Sequence, residues 1–344
     1  MLISRKISLK KKRVVKKIQY KRFLRSQRNK VLTYKQEEDS SISFSMPSVF
    51  NIETNYTNTM NSIYDLRKLY SEEANDNILV KIEDIRDIGQ TASLILAAEL
   101  YRWKRTRSSR LKPNNVRLWS NEIKHIFKSF GLYSLLGIKE RLRCGNRIRY
   151  QYFKYKTDTY ATGKLLSDFY AYLVSKVGCF NKRIYDSLIE AVTNVVQHSC
   201  DDTCDLDNIV KNRWWLAAAY DTQEHILKII VYDQGVGITK TLPKREGFLD
   251  LIKGLGEDKG TWIKAAMEVG KSSTKLPYRG KGLSQILAYI KDYEEGIYLK
   301  IISGDGFLCY NKSEQNFQTS TNDLYFNGTL IEWAIRINKD VEKN

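Results

Sequence analysis

Residues 229–238 read Ile229-Ile230-Val231-Tyr232-Asp233-Gln234-Gly235-Val236-Gly237-Ile238. Its apolar first half is typical of a buried strand, and the strand ends in the carboxylate of Asp233. Gly235 and Gly237 follow, and glycine lets a backbone approach a ligand closely. A buried carboxylate in this place can accept a hydrogen bond from an exocyclic amine such as adenine N6. A tight turn is the alternative interpretation.

A second motif lies upstream on a predicted helix and runs Glu190-Ala191-Val192-Thr193-Asn194-Val195-Val196-Gln197-His198. A spacing of four places Glu190, Asn194 and His198 on one helix face. A carboxylate and an amide oxygen one turn apart suit a hydrated Mg²⁺, because magnesium prefers oxygen ligands and retains waters. A solvated helix face is the alternative interpretation.

A third motif, at the start of another predicted helix, runs Tyr278-Arg279-Gly280-Lys281-Gly282-Leu283. Glycines at a helix N-terminus expose free N–H groups to phosphate oxygens, and the cations of Arg279 and Lys281 add to the attraction. A glycine turn before a helix is the alternative. The chain contains no GxxxxGK[ST] phosphate-binding loop.

In order and spacing, these motifs resemble the N box, the D-x-G-x-G box and the G-x-G box of the GHKL ATPase superfamily. Gly328-Thr329-Leu330 resembles the final G-T element of that superfamily. The resemblance covers residues 160–337 and implies the Bergerat fold. In that two-layer α/β sandwich, helices cover one face of a mixed sheet, and ATP lies between sheet and helices under a mobile lid.

The resemblance also implies roles for single residues. Asn194 would bind Mg²⁺, Asp233 would bind adenine, and Glu190 would position or deprotonate the attacking nucleophile. The other cofactor-binding residues would shape the pocket, meet the phosphates or support the adenine end; they are Gly235, Gly237, Arg279, Gly280, Lys281, Gly282, Leu283 and Thr329. The lid would lie within residues 239–278, where Lys271-Ser272-Ser273-Thr274 would contact the γ-phosphate.

A weaker resemblance concerns the upstream half of the chain. The segments Ile82–Ile85, Asp87–Glu99 and Phe130–Gly137 are similar to a STAS-type anti-sigma antagonist domain. The resemblance places Thr91 or Ser93 at the phosphoacceptor position, although Gly89-Gln90 stands before Thr91 in place of the usual Asp-Ser pattern. N-capping of the helix by Thr91 is the alternative. A STAS-like part fused to a GHKL-like part would form a partner-switching regulator in one chain.

Periodicity predicts the secondary structure of both halves. In the first half we expect a strand over Ile78–Ile82, a helix over Thr91–Trp103, and a helix that begins after Ser120 and ends at Gly131. In the second half the predicted helices are Gly163–Val177, Asn181–His198 and Leu283–Tyr293, and the predicted strands are Trp214–Tyr220, Leu227–Tyr232, Ile297–Ile302, Phe307–Tyr310 and Thr329–Ile337. The predicted boundaries are 1–47 for an arm and linker, 48–140 for a small α/β domain, 141–159 for a connector, 160–338 for the ATP-binding domain and 339–344 for a tail.

The charge is concentrated at the N-terminus. The 344 residues carry a net charge of +18, and residues 1–35 contain 14 Lys and Arg and no acid. Subtracting the +14 of this arm leaves +4 for the rest of the chain. Such an arm attracts nucleic-acid phosphates or an acidic surface. A presequence or a solvated tail are the alternatives.

Composition excludes several other classes. The apolar fraction of 42% and aromatic fraction of 12% are typical of a globular protein. No apolar run approaches the ~20 residues of a membrane span, and no secretory signal is evident, so we expect a cytoplasmic location. The five cysteines lack CxxC spacing, which favours reduced thiols. A metal site of Cys200, Cys204 and His198 is the alternative.

These observations predict a regulatory protein that binds Mg-ATP and either hydrolyses it slowly or phosphorylates a protein Ser or Thr. An ATP-gated interaction module without turnover and a nucleic-acid-directed ATPase anchored by the arm are the competing hypotheses. A sensor histidine kinase is disfavoured, because His125 lacks the acidic neighbour and proline of that family's phosphoacceptor helix. The expected partner is another regulatory protein, and GHKL proteins often form homodimers.

Overall fold

The computed structural model describes residues 42–71, 78–106, 111–139, 149–178, 181–199, 209–244, 254, 256–269 and 281–337. Within these ranges the chain is a mixed α/β protein with both parallel and antiparallel sheets. No helix in this part of the chain has the length and hydropathy needed to cross a bilayer.

The N-terminal unit, residues 42–139, is built around short parallel strands. Its strands are β1 (Ile42–Ser45), β2 (Val49–Phe50), β3 (Ile78–Lys81), β4 (Asp87–Ile88) and β5 (Leu111–Pro113), and its helices are α1 (Tyr56–Ser71), α2 (Gln90–Thr106), α3 (Asn121–Phe130) and α4 (Leu132–Leu135). One parallel sheet has the order β1-β3-β5, and β2 pairs with β4 in a second. As predicted, Ser120 caps α3, and Gly131 ends it in the left-handed conformation at φ 93°.

The C-terminal unit, residues 149–337, is built on one larger sheet. Its strands are β6 (Tyr150–Asp158), β7 (Trp214–Asp221), β8 (Ile226–Asp233), β9 (Gly296–Asn311) and β10 (Asn316–Arg336), and its helices are α5 (Gly163–Val177), α6 (Lys182–His198), α7 (Ile238–Thr241), α8 (Lys259–Val269) and α9 (Lys281–Asp292). The sheet order is β6-β7-β8-β10-β9, and every pairing is antiparallel. The described strands of this unit therefore differ from the expected mixed sheet. Short turns join β7 to β8 and β9 to β10, and such turns produce antiparallel neighbours.

Two boundaries of the predicted domains differ from the structure. The segment Ile42–Ser45, which we assigned to the arm and linker, forms β1 and pairs with β3. The segment Tyr150–Asp158, assigned to the connector, forms β6 and pairs with β7. Both stretches gain their order from pairing with strands that lie far away in sequence, and local composition does not report such pairing.

The last two strands are longer than predicted. Two predicted strands merge into β9, and β10 begins at Asn316, well before the predicted Thr329. The outer parts of these strands pair with each other from Asn311↔Asn316 to Gly306↔Thr321. Helix α8, which lies in the predicted lid region, packs against this extension of the sheet.

Both faces of the C-terminal sheet are covered, so the sheet is the middle one of three layers. All eight residues of β7 are buried. The residues of β7 that pack with the helices are Trp214, Leu216 and Ala218, and those that pack with the N-terminal unit are Trp215, Ala217 and Ala219. This alternation follows from the period of two in a strand. The sheet therefore joins two cores, and the second core is shared between the units.

A buried carboxylate lies between the two units. Glu332 is fully buried and accepts hydrogen bonds from the Tyr298 hydroxyl at 2.6 Å, the Lys300 ammonium at 2.9 Å and the Thr91 hydroxyl. Burial alone would raise the pKa of Glu332, but the ammonium groups of Lys300 and Lys228 hold that pKa well below its ordinary value. Glu332 is therefore ionised and compensated across the neutral pH range.

We expect Glu332→Ala to destabilise the protein by about 3–5 kcal/mol at pH 7, because it leaves buried ammonium groups short of one counter-charge. Since the pKa is depressed, this stabilisation is complete above the ordinary value of 4.5 and is lost as the pH falls towards the folded-state value. Urea unfolding at several pH values measures both effects. Glu314→Ala, an exposed site, is the matched control, and equal losses in the two variants would contradict the prediction.

Candidate functional site

Asp233 is the centre of the candidate site. It is the last residue of β8 and pairs with Trp214 on one side and Thr329 on the other. Its carboxylate is buried, and its Oδ1 atom accepts a hydrogen bond from the Gly235 N–H at 2.7 Å. Burial raises the pKa of Asp233 to about 7, although N–H groups of Gly235 and Thr329 favour its ionised form. No cation pairs with this carboxylate within the described ranges, so it can change its protonation state near neutral pH.

Two glycines permit the close packing around Asp233. A Cβ atom on Gly235 would lie 2.1 Å from the Ser199 carbonyl oxygen, and one on Gly328 would lie 1.8 Å from the Asp233 carbonyl oxygen. Gly328 also has a φ of +97°, in the region that favours glycine. The D-x-G-x-G motif and the G-T element, almost 100 residues apart, therefore meet at one point.

Helix α6 reaches the same point with its C-terminal end. The carbonyl oxygen of Ser199, the C-cap of α6, accepts a hydrogen bond from the Val236 N–H at 2.9 Å. Glu190 and Asn194 lie on this helix and are half-buried. The side-chain nitrogen of Asn194 is buried and has no hydrogen-bond partner within the described residues. An unsatisfied buried amide is costly, and a ligand or water that pairs with it removes that cost.

Ser303 is a site residue that sequence analysis missed. It is fully buried on β9 and accepts a hydrogen bond from the Ile238 N–H at 2.7 Å. Its hydroxyl also lies 3.1 Å from the Gly328 carbonyl oxygen and 2.8 Å from the Thr329 hydroxyl. Ser303 thus connects the G-T element to the start of α7. The available signal was the interruption Ser303-Gly304-Asp305-Gly306 between two apolar runs.

Several predicted site residues lie outside the described residues. Arg279, Gly280 and the Lys271–Thr274 segment belong to this group. Lys281 and Gly282 begin α9, but the side chain of Lys281 is not described, and the same is true of the His198 side chain at the end of α6. Leu283 is half-buried and packs against the core on the helix side of the sheet.

The cysteines show no metal site in the described part of the chain. No group of three His, Cys, Asp or Glu side chains there could hold a metal ion. Cys200 and Cys204 lie outside that part. The described Cys309 is a free, half-buried thiol, and burial raises its pKa.

The hydroxyls of the STAS-like segment point into the protein. Helix α2 begins at Gln90, and the buried Thr91 hydroxyl donates to Glu332, so the expected N-capping by Thr91 is wrong. The Ser93 hydroxyl is also buried and donates to the Gly89 carbonyl oxygen at 2.9 Å. Neither hydroxyl is accessible to a phosphate donor in this conformation.

A cavity of the described residues lies away from this site. It has a volume of 450 Å³ and opens between Glu53 and Gln90 of the N-terminal unit and the β7–β8 turn, at the opposite end of these strands from Asp233. Two cations that line it already form ion pairs. Lys300 Nζ lies 2.8 Å from Glu53 Oε1, and Arg149 Nη2 lies 2.6 Å from Asp221 Oδ2. None of the predicted site residues lines it.

Comparison with known proteins adds no relative. No protein-family model matches the chain, and no curated protein matches it.

Because its pKa is raised, Asp233 should make the free energy of unfolding depend on pH. A buried carboxyl whose pKa rises from 3.8 to about 7 destabilises the fold progressively as the pH passes through this window. Asp233→Asn has no such cost. We expect its free energy of unfolding to gain on the wild type between these pH values, by at most about 1.4 kcal/mol per pH unit, and then to level off.

Urea unfolding of both proteins from pH 4 to pH 9 tests this expectation. Asp168→Asn is the matched control, because Asp168 is exposed on α5. A difference between Asp233→Asn and the wild type that does not change with pH would show that Asp233 titrates normally.

Proposed function

We propose that this chain is a cytoplasmic regulatory protein that binds Mg-ATP at the end of β8 and belongs to the GHKL type. The observation that carries the proposal is the buried Asp233 carboxyl, surrounded by close backbone approaches from the D-x-G-x-G motif and the G-T element. The Ser199 carbonyl oxygen at the C-cap of α6 accepts a hydrogen bond from Val236 of the same turn, and Asn194 and Glu190 lie further back on that helix. The D-x-G-x-G motif and the G-T element, which the sequence resemblance names, lie against each other although they are far apart in the chain.

The arrangement of helices on the sheet and the order of the motifs along the chain also support the proposal. The C-terminal unit has helices α5, α6, α8 and α9 on one face of its sheet, and the three motifs follow in the order of a Bergerat fold. The antiparallel pairing of the sheet is a departure from the mixed sheet of that type. In the N-terminal unit, the parallel strands and the helix after β4 support a STAS-like assignment.

The residues present fit the adenine end of ATP. An exocyclic amine is a donor, and the buried Asp233 carboxylate is an acceptor without a cationic partner among the described residues. A ligand that lacks the amine would leave the buried Asp233 carboxylate without a hydrogen-bond donor. The site should therefore bind such a ligand much more weakly than one that carries the amine. Thr329 and Ser303 would support this end of the nucleotide.

The α6 face fits the metal end. The buried, unpartnered side-chain nitrogen of Asn194 is a donor that a phosphate oxygen or a metal-bound water could satisfy, and Glu190 lies one turn before it. The amide oxygen of Asn194 would hold Mg²⁺. When bound, Mg-ATP supplies the phosphoryl group and a cation that offsets its charge. In this proposal Arg279, Gly280, Lys281, Gly282 and Leu283 would approach the phosphates.

Glu190 would then act as the general base or orient the nucleophile, so that the protein is an ATPase or a Ser/Thr kinase. Thr91 and Ser93 are buried on the other side of the sheet, which argues against transfer within one chain. The acceptor would be water or a partner protein. The second candidate is an ATP-gated interaction module whose partner affinity changes without turnover, and the core that the sheet shares with the N-terminal unit favours it.

Nucleotide binding is the first test. At about 100 times its dissociation constant, Mg-ATP should stabilise the wild type by about 2.7 kcal/mol. We expect Asp233→Ala to remove this stabilisation, and Asn194→Ala to remove only its dependence on Mg²⁺. Urea unfolding with ATP, with and without magnesium, measures both, and Asp168→Ala is the control. Full stabilisation of Asp233→Ala by ATP would refute the site.

Turnover is the second test. The protein is incubated with Mg-[γ-³²P]ATP, and free phosphate is resolved from labelled protein. Glu190→Gln should lose turnover by about 100-fold or more while it still binds ATP, because the base is lost and the shape is kept. An unchanged rate would remove Glu190 from the mechanism. ATP binding without any released or transferred phosphate in the wild type would select the gated module.

A further inference from the structure

The two sequence neighbours of Asp233 are held by one ion pair of the N-terminal unit. Successive side chains of a strand point to opposite faces. Tyr232 belongs to the core that the sheet shares with the N-terminal unit, and the Gln234 side chain also reaches that unit. The residues that flank the candidate site are thus contacted from the side of the sheet opposite to α6.

The contacts are short and buried. The Glu99 Oε1 atom of α2 accepts hydrogen bonds from Gln234 Nε2 at 2.5 Å and from Arg67 Nη2 of α1 at 2.5 Å. The same Arg67 nitrogen lies 3.1 Å from the Tyr232 hydroxyl. Glu99, Tyr232 and Gln234 are each at most 5% exposed. We refer to these four residues as the Arg67–Glu99 clamp.

The clamp also contacts the segment that contains the G-T element. The Tyr232 hydroxyl lies 3.4 Å from the carbonyl oxygen of Asn327, the residue before Gly328. Gly328 packs against the Asp233 backbone. A displacement of α1 or α2 therefore acts on both chain segments that meet at Asp233.

The clamp contains an ion pair that is largely shielded from solvent, so water cannot replace a lost partner. Burial lowers the pKa of Arg67, but Glu99 and the hydroxyls of Tyr232 and Tyr64 outweigh this and raise it above its ordinary value. The loss of either charged partner leaves the other buried and uncompensated. Two further clamp atoms, Gln234 Oε1 and Arg67 Nη1, are buried and have no partner in the described part of the chain. The clamp is therefore not optimised for stability alone.

We propose that Gln234 is a positioning residue through which the N-terminal unit sets the nucleotide affinity of the Asp233 site. This inference rests on the proposed function. Gln234 touches Glu99 and holds the backbone that presents Asp233 and Gly235. Because coupling between two sites is reciprocal, nucleotide at Asp233 also strengthens the packing of α1 and α2 on the sheet.

The main test compares two interface variants of the full chain. Gln234→Met removes the hydrogen bond to Glu99 with little change in shape. Tyr56→Phe is the matched control, because it removes another hydrogen bond between the units, from Tyr56 to the Leu324 carbonyl oxygen at 3.1 Å. Affinity for a magnesium complex of a non-hydrolysable ATP analogue is measured by calorimetry. We expect Gln234→Met to weaken binding about tenfold, within the usual range of coupling, and Tyr56→Phe to change it less than about twofold.

A charge exchange separates positioning from a general packing defect. Gln234→Glu places two carboxylates together and should weaken nucleotide binding, and Glu99→Gln should do so by leaving Arg67 without its counter-charge. The double variant restores one carboxylate and one amide beside Arg67, so we expect affinity within about threefold of the wild type. Additive losses in the double variant would overturn the clamp as the cause.

Amide hydrogen exchange supplies a second readout. Nucleotide should slow exchange in α1 and α2 of the wild type and of Tyr56→Phe, but not of Gln234→Met. If the wild type binds the analogue through Asp233, and Gln234→Met matches Tyr56→Phe in affinity and exchange, the positioning role is wrong. If the wild type does not bind, or Asp233→Ala binds equally well, the proposed function itself fails.

Discussion

The structure depends on one constraint, the burial of the C-terminal sheet on both faces. Successive side chains of β7 and β8 alternate between the core under the helices and the core shared with the N-terminal unit. Removing either the helices or the N-terminal unit would therefore expose apolar surface on these central strands. This explains why β7 is apolar from Trp214 to Ala219, as is usual for strands covered on both sides. It also explains why polar residues on these strands need dedicated partners.

Two buried carboxylates illustrate how differently the protein treats such residues. Glu332 lies at the interface of the units with ammonium groups beside it, so its pKa is depressed and it serves as a fixed structural charge. Asp233 receives hydrogen bonds only from backbone N–H groups within the described residues, and burial raises its pKa. A buried carboxylate kept without a cation costs stability, and this contrast is the physical reason for proposing a ligand site at Asp233.

Much of the local structure was predictable from the sequence. Helices α5 and α6 and strands β7 and β8 have strong apolar periodicity, and the predicted bounds agree with the structure to within a residue or two. The glycines around Asp233 were also identifiable, because their spacing is part of a motif. What the pattern could not show was the contact between Gly328 and Asp233, since it depends on how β10 pairs with β8.

Other features were hidden for physical reasons. The Ser303-Gly304-Asp305-Gly306 interruption marks an irregular point in the strand, but the role of Ser303 arises from three segments that meet in space. Strand β6 has polar residues along half of its length and is defined by its pairing with β7. Gln234 occupies a position that the motif leaves variable, so only the packing of the N-terminal unit reveals what it contacts.

The shared core has a consequence for synthesis of the chain. Phe326 and Leu330 of β10 are part of the same core as Ile63 of α1 and Ile95 of α2. On the ribosome the N-terminal unit emerges first, yet a large share of its apolar surface has no cover until β10 has been translated. The sheet-facing side of the N-terminal unit therefore stays exposed, and accessible to chaperones, until β10, more than 200 residues downstream, has been synthesised.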